Sequence, residues 1–103
     1  MGMSVNQKHT STGVKGPVLM DWVPGGFATV GVWTDGAIYG VEYTLDVLND
    51  SSVTVRWFND PAMPPGTSAS KTTSYDSPVR AVRVNITVLS GSILEFKVLQ
   101  SSD

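Results

Sequence analysis

The segment from Ser77 to Gln100, SPVRAVRVNITVLSGSILEFKVLQ, constrains the fold more than any other part of the sequence. In VRVNITV, every second residue from Val82 to Val88 is apolar and the residues between them are polar. A period of two gives an extended strand one apolar and one polar face, which predicts a half-buried β-strand. After a break at Ser90-Gly91, SILEFKVLQ resumes the alternation from Leu94 to Val98. We therefore predict a β-hairpin in this segment.

Similar patterns occur upstream. In AIYGVEYTLD, larger apolar and aromatic residues lie on one side of a predicted strand from Tyr39 to Leu45. The preceding Asp35-Gly36 is a strong turn signal. We therefore predict that FATVGVWT, before this turn, forms a hairpin with that strand. VTVRWF and PVLMDW predict shorter strands and SKTTSY a weaker one, whereas no useful length of chain has a helical period. Seven or eight short strands joined by turn-forming residues predict an all-β fold, a small antiparallel β-sandwich or jelly roll.

The domain organisation follows from length and local composition. A chain of 103 residues fits one domain with one core. The first sixteen residues are polar and end at Gly16-Pro17, so we predict an N-terminal arm over 1–16 and a single sandwich domain over 17–103. The proline-rich stretch 59–70 predicts an ordered surface loop that could also be a contact loop.

Charge and composition argue against several classes of partner. The formal net charge is -2, and nucleic-acid binding depends on an excess of Lys and Arg, so we expect no nucleic-acid partner. The first residues contain no apolar signal-peptide core, and no window approaches the about 20 apolar residues of a membrane span, so we expect no export signal and no membrane partner. Without cysteine, the chain has neither disulfides nor thiolate metal sites.

The sequence offers no catalytic constellation. The one histidine, His9, lies in the predicted arm, where nothing orients it beside a nucleophile. Asp46, Asn49 and Asp50 have the oxygen ligands that calcium prefers, but their spacing matches no standard calcium loop and is typical of a turn. We therefore expect no catalytic residues, no metal site, no cofactor and no enzymatic activity.

Apolar residues that are left over on polar strand faces are the best candidates for partner contacts. In FATVGVWT, Trp33 and Phe27 lie on the same face of the predicted strand. The residues of the opposite parity, two of which are valines, lie on the other face. Ile93 and Leu99 interrupt the polar face of the last strand. Apolar residues on both faces of a strand indicate either that other parts of the chain cover both faces or that one face binds a partner. In so small a chain we favour the partner-binding interpretation.

The other aromatic and basic residues have alternative interpretations. Trp22 and Trp57 share strand parity with core residues, so we predict that they are buried, although exposed tryptophans could form a sugar-stacking platform. Arg80 and Arg83, near the start of the penultimate strand, are candidates for salt bridges to an acidic partner, although surface arginines often contribute nothing to binding.

Four segments in order, VEYTLD, RWF, SPVRAVRVNITV and KVLQ, resemble small virion proteins of tailed bacteriophages. In those proteins the chain likewise ends through a proline, an AVR or AIR strand, a glycine-containing turn and a strand ending in Leu-Gln or Ile-Gln. The resemblance covers Tyr39 to Gln100. It implies a capsid cement or decoration protein, a class of β-sandwich or jelly-roll modules that are often trimeric and straddle seams between major capsid subunits.

The resemblance and the leftover apolar residues together lead to one functional expectation. We expect a non-enzymatic structural protein, made in the bacterial host cytoplasm and located on the capsid surface of the virion. Its partners would be further copies of itself, with a homotrimer favoured, and the major capsid protein, whose lattice it would stabilise from outside. The alternative is a carbohydrate- or receptor-binding module at a phage tail or fibre, which would display exposed and roughly coplanar aromatic rings.

Overall fold

The structure is a computed structural model that describes residues 3–20 and 27–100. Within these residues the chain forms nine β-strands and no helix, so no described helix is long and apolar enough to cross a membrane. The strands are β1 (Met3–His9), β2 (Gly13–Val14), β3 (Val18–Leu19), β4 (Ala28–Thr34), β5 (Ile38–Thr44), β6 (Trp57–Asn59), β7 (Lys71–Tyr75), β8 (Ala81–Val88) and β9 (Leu94–Gln100).

The strands form two antiparallel sheets that enclose one core. The four-stranded sheet has the order β1-β9-β4-β7, and the five-stranded sheet has the order β2-β8-β5-β6, with β3 also paired to β8. Buried residues of both sheets belong to the same hydrophobic cluster. The prediction of an all-β fold with two antiparallel sheets is therefore confirmed.

Strand pairing is nested along the chain. The innermost pair is β5 with β6, followed outward by β4 with β7, by β2 and β3 with β8, and by β1 with β9. The pairs of β4 with β9 and of β5 with β8 join these ladders into the two sheets. The chain thus crosses repeatedly from one sheet to the other.

Both predicted hairpins are wrong, because each predicted pair of strands is divided between the two sheets. β8 belongs to the five-stranded sheet and β9 to the four-stranded sheet. β4 and β5 are divided in the same way, so Asp35-Gly36 carries the chain across the core. The local turn after β8 does have hairpin-like dihedrals, with positive φ at Ser90 and Gly91 and a bond from Ser92 N to Leu89 O of 2.7 Å. The strands on either side of that turn nevertheless pair elsewhere.

The predicted alternation of buried and exposed side chains is confirmed in the longer strands. On β9, the side chains of Leu94, Phe96 and Val98 are buried, while those of Lys97 and Leu99 are exposed. β4 follows the same alternation, whereas β5 buries three consecutive residues, 39–41, and also Thr44; the inner faces of both sheets meet in the core. These further core positions are Val30 and Val32 on β4, Tyr39 and Val41 on β5, and Val82, Val84 and Ile86 on β8.

The N-terminal segment differs from the arm that the sequence predicts. Residues 3–9 form β1, which pairs with β9 over its full length from Met3↔Gln100 to His9↔Leu94. Val5 is half-buried and packs against the core. Gly13 and Val14 then form β2 against β8. The polar composition of this segment reflects an edge strand whose outward residues are in water, rather than an arm without secondary structure.

The prediction that Trp57 is a core residue is wrong, because Trp57 lies on the outer face of the five-stranded sheet. It pairs with Thr44 at the start of a strand of only three residues, and the guanidinium carbon of Arg83 lies 3.9 Å from the centroid of its ring. Trp22, the other tryptophan predicted to be buried, lies outside the described residues. SKTTSY, the weakest strand prediction, is confirmed as β7.

The proline-rich loop between β6 and β7 is held along the edge of β5. Val41 N donates to Met63 O at 2.9 Å, and Tyr39 and Thr67 exchange two backbone hydrogen bonds. Met63 is fully buried in the core. Gly40 permits this close approach, since a Cβ there would lie 2.9 Å from the backbone of Pro65. The predicted ordered loop is therefore part of the packed structure.

Candidate partner-binding face

The outward side chains of the four-stranded sheet form a regular surface that carries three of the predicted partner-binding residues. This docking face is defined by three cross-strand rows, from β1 through β9 and β4 to β7. The rows are Ser4–Leu99–Thr29–Ser74, Asn6–Lys97–Gly31–Thr72 and Lys8–Glu95–Trp33. Because four strands are hydrogen-bonded beneath it, the face is preformed and rigid.

Three of the predicted residues share this face. Trp33 is 46% exposed, Leu99 is 61% exposed, and Phe27, immediately before β4 and in the same alternation, is 55% exposed. Leu99 lies opposite Thr29, so Phe27, two residues before Thr29, is its diagonal neighbour. Trp33 lies four residues after Thr29 on β4, at the other end of the face. The apolar surface is thus divided into a Phe27–Leu99 pair and a separate indole ring.

A shallow groove runs across the middle row of the docking face. Its volume is about 370 Å³ and its lining includes Gly31, Thr72 and Lys97. Gly31 has no side chain to fill the row between Lys97 and Thr72, and a Cβ there would lie 3.2 Å from the Thr72 methyl group. A second depression of about 330 Å³ shares Thr72 and Lys97 and is bordered by Trp33. The two depressions therefore meet at Thr72 and Lys97, and the second lies beside the indole.

The charged outward residues of the docking face have an excess of positive charge. Lys8 and Lys97 are exposed, and Glu95 is half-buried. Lys97 Nζ lies 3.2 Å from Glu95 Oε1, but the Lys97 side chain remains 53% exposed, so this ion pair contributes little to stability. The face therefore combines exposed aromatic and aliphatic side chains with two exposed lysines.

Ile93 does not belong to the docking face. It is half-buried where the β4–β5 and β8–β9 connections meet. Its backbone N–H donates to Asp35 Oδ1 at 3.1 Å, and its carbonyl accepts the Thr34 hydroxyl at 2.8 Å. Thr34 Oγ1 also accepts the Ala37 N–H, at 3.1 Å. Ile93 thus lies where hydrogen bonds link the two crossings between the sheets.

Arg83 is also separate from the docking face and is engaged within the chain. Its Nε lies 2.6 Å from Glu42 Oε1, directly across the β5–β8 pair. Its guanidinium also covers the Trp57 ring, a favourable cation–π arrangement. A guanidinium held in this way would have to give up both contacts to bind a partner.

Arg80 lies at an end of the five-stranded sheet, where its side chain is exposed. It lines a largely apolar groove of about 450 Å³ together with Leu19 and Leu48. Its backbone is held by bonds from Arg80 N to Thr44 O at 2.8 Å and from Met20 N to Arg80 O at 2.9 Å. The six predicted partner residues therefore lie in at least three separate regions of the molecule.

The polar groups with shifted pKa values are explained by their packing. His9 Nε2 lies 3.0 Å from Gln7 Oε1, and partial burial, followed by the charge of Lys15, lowers the pKa of His9. Burial raises the pKa of Tyr39 to about 12, while its hydroxyl donates to Ala69 O at 2.6 Å. In the part of the chain that the structure describes, no group of three or more His, Cys, Asp or Glu side chains could hold a metal ion.

Sequence reasoning missed several residues of the docking face. Lys8 and Asn6 were assigned to the arm, although alternation in SVNQKH is a weak strand signal that could have placed them. Lys97 and Glu95 were correctly placed on the polar face of the last strand, but not linked to Trp33. That link depends on the pairing of β4 with β9, which alternation within one strand cannot indicate.

Comparison with known proteins gave no match to a family model, a curated protein or a solved structure. The relation to phage virion proteins therefore stays a prediction.

Proposed function

We propose that this chain is a non-enzymatic virion structural protein of a tailed bacteriophage, a capsid decoration protein that attaches to the outside of the major capsid lattice. The observation that carries the proposal is the exposure of Trp33, Phe27 and Leu99 on one rigid sheet face. Aromatic side chains on preformed surfaces are typical binding anchors, because little conformational freedom is lost on association. The resemblance from Tyr39 to Gln100 supplies the class of partner.

The strand arrangement supports the finer assignment of a jelly roll. Nested antiparallel pairs, from β5–β6 inside to β1–β9 outside, are what results when one long hairpin is rolled into two sheets. Jelly rolls are frequent in viral capsid proteins and in lectins. This agreement is by analogy of fold and does not itself identify a function.

The decoration protein is a homotrimer in this proposal, and the docking face supplies contacts of two kinds. The Phe27–Leu99 pair and Trp33 lie at opposite ends of the face, which provides one apolar anchor for a neighbouring copy and one for the shell. Lys97, in the middle row, and Lys8, in the row of Trp33, favour an acidic patch on the major capsid protein.

Co-sedimentation with capsid shells of the encoding phage tests the proposal. We expect the chain to bind shells stoichiometrically, and light scattering to give about three times the 11.0 kDa mass of one chain. Leu99→Thr and Trp33→Thr should abolish shell binding or trimer formation. Leu19→Thr is the matched control, because Leu19 is also 61% exposed but lies on the outer face of the other sheet. A strict monomer that does not sediment with shells would refute the proposal.

A glycan-binding module is the second candidate, favoured by the recess beside Trp33. Sugar rings stack on exposed indoles, and Thr72 and Lys97 supply hydrogen-bond donors within the same recess. A glycan that shifts tryptophan fluorescence, with loss of the response in Trp33→Thr, would establish this function. No glycan response together with shell binding would support the decoration protein.

A further inference from the structure

A second recess, here called the aromatic cleft, lies at the side of the sandwich. It has a volume of about 410 Å³ and lies between the end of β5, the loop after β6 and the segment that joins β7 to β8. Its lining residues include Tyr43, Leu45, Asp60, Tyr75 and Asp76. It shares Ser74 with the docking face but otherwise consists of different residues.

The wall of the aromatic cleft is built from packed rings. Tyr43 stacks on Phe58 with ring centroids 5.6 Å apart, and Tyr75 meets Tyr43 edge-on at 5.8 Å. The faces of such rings carry partial negative charge and attract cations. Leu45 lines the cleft and is 55% exposed, so its apolar surface is accessible beside the tyrosine rings.

The charge of the aromatic cleft has one sign. Asp60 and Asp76 contribute carboxylates, and the described residues that line the cleft include no Lys, Arg or His. Asp76 is exposed at the rim, and Asp60 is buried in the wall. The Asp60 carboxylate is held by the Tyr75 hydroxyl and by the N–H groups of Ala62 at 2.8 Å and Met63 at 3.3 Å. Hydrogen bonds therefore hold the Tyr75 side chain and the Asp60 carboxylate in place, and Asp76 is the exposed carboxylate at the rim.

We propose that the aromatic cleft binds an arginine side chain presented by a partner protein. A guanidinium is planar, stacks on aromatic rings and pairs with carboxylates, and its aliphatic stem can cover the apolar rim at Leu45. The cleft is open at its exposed rim residues Pro61, Asp76 and Ser77, so a side chain carried by another molecule can enter. This inference goes beyond the decoration role, because it needs neither a capsid partner nor the anchors of the docking face.

Titration followed by ¹H–¹⁵N NMR tests the proposal, with the capped peptide Gly-Arg-Gly as the probe. We expect saturable shifts at the amides of Tyr43, Leu45 and Ser74–Ser77, and binding that weakens as salt is raised. The matched peptide with citrulline, which has the shape of arginine without its charge, should bind about tenfold more weakly. Equal binding of the two peptides would overturn the proposal.

Two variants locate the binding site. Asp76→Asn should weaken binding of the arginine peptide about threefold, since it removes one exposed carboxylate. Tyr43→Leu should weaken it about tenfold by removing the ring. Thr72→Ala, on the docking face, should leave binding unchanged. Unchanged peptide binding in Asp76→Asn and Tyr43→Leu, or loss of peptide binding in Thr72→Ala, would contradict the assignment of the site to the aromatic cleft. If Tyr43→Leu does not fold, the comparison with the citrulline peptide decides whether the cleft binds arginine.

Discussion

Tyr75 donates its phenolic hydrogen to Oδ2 of Asp60, although Tyr75 lies on β7 of the four-stranded sheet and Asp60 follows β6 of the five-stranded sheet. The bond therefore joins the edges of the two sheets at the side of the sandwich. Burial, followed by this bond and the nearby Asp60 charge, raises the pKa of Tyr75. The other oxygen of the same carboxylate holds the start of the proline-rich loop, because Asp60 Oδ1 accepts the N–H groups of Ala62 and Met63.

Tyr75→Phe should lower the free energy of unfolding by about 1–3 kcal/mol, because it leaves one oxygen of the buried Asp60 carboxylate without its donor. Urea denaturation measures the change. Tyr43→Phe is the matched control, since the Tyr43 hydroxyl makes no hydrogen bond to another residue within 3–20 or 27–100, and it should change stability by less than about 0.5 kcal/mol. Equal losses in the two variants would show that the Asp60 bond contributes nothing.

Gly40→Ala should destabilise the fold by about 1–3 kcal/mol, because the new methyl group would lie 2.9 Å from backbone atoms of Pro65 and force the loop away from β5. Proteolysis within residues 60–67 should become faster. Gly16→Ala is the control, since a Cβ at Gly16 has no neighbour within 4 Å. If both alanine variants unfold at the same urea concentration, the loop does not pack on Gly40 as described.

Val5→Asp should lower the free energy of unfolding by about 2 kcal/mol, because the half-buried Val5 packs against the core from β1. Asn6→Asp introduces the same charge one residue later, on the exposed side, and should be nearly neutral. Thermal unfolding compares the two variants. An N-terminal arm without structure would tolerate both substitutions equally, so a similar melting temperature for the two would argue against β1.

His9 should make the protein less stable in mild acid. Its pKa is lowered from 6.5 in the folded chain by burial and by Lys15, so the unfolded chain binds the proton more readily. The stabilising contribution is present above pH 6.5 and is lost as the pH falls through that value toward the folded pKa. The difference in unfolding free energy between wild type and His9→Gln should therefore change between about pH 8 and about pH 5.

Lys15 is the neighbouring cation whose charge, after burial, lowers the pKa of His9. Urea denaturation at several pH values measures the effect. A difference between wild type and His9→Gln that does not vary with pH would mean that His9 is as accessible to protons in the folded chain as in the unfolded one.

Part of the candidate site could be predicted from local pattern. Trp33 was placed opposite the valines of its strand, and Leu99 opposite Phe96 and Val98, and both side chains do point away from the core. Arg83 could not be assigned in this way. Whether an arginine is free or engaged depends on its cross-strand neighbours, here Glu42 and Trp57, which come from other parts of the chain.

The amino-acid sequence alone was enough to tell which side of β4, β8 and β9 is buried, because covalent geometry points successive side chains to opposite faces and burial removes the apolar set from water. Only the tertiary structure decided which strands pair. The turn at Ser90-Gly91 has the backbone of a hairpin, yet β8 and β9 separate into different sheets. Strand partners are joined by backbone groups that are chemically alike in every residue, so the choice depends on packing between distant segments such as β1 and β9.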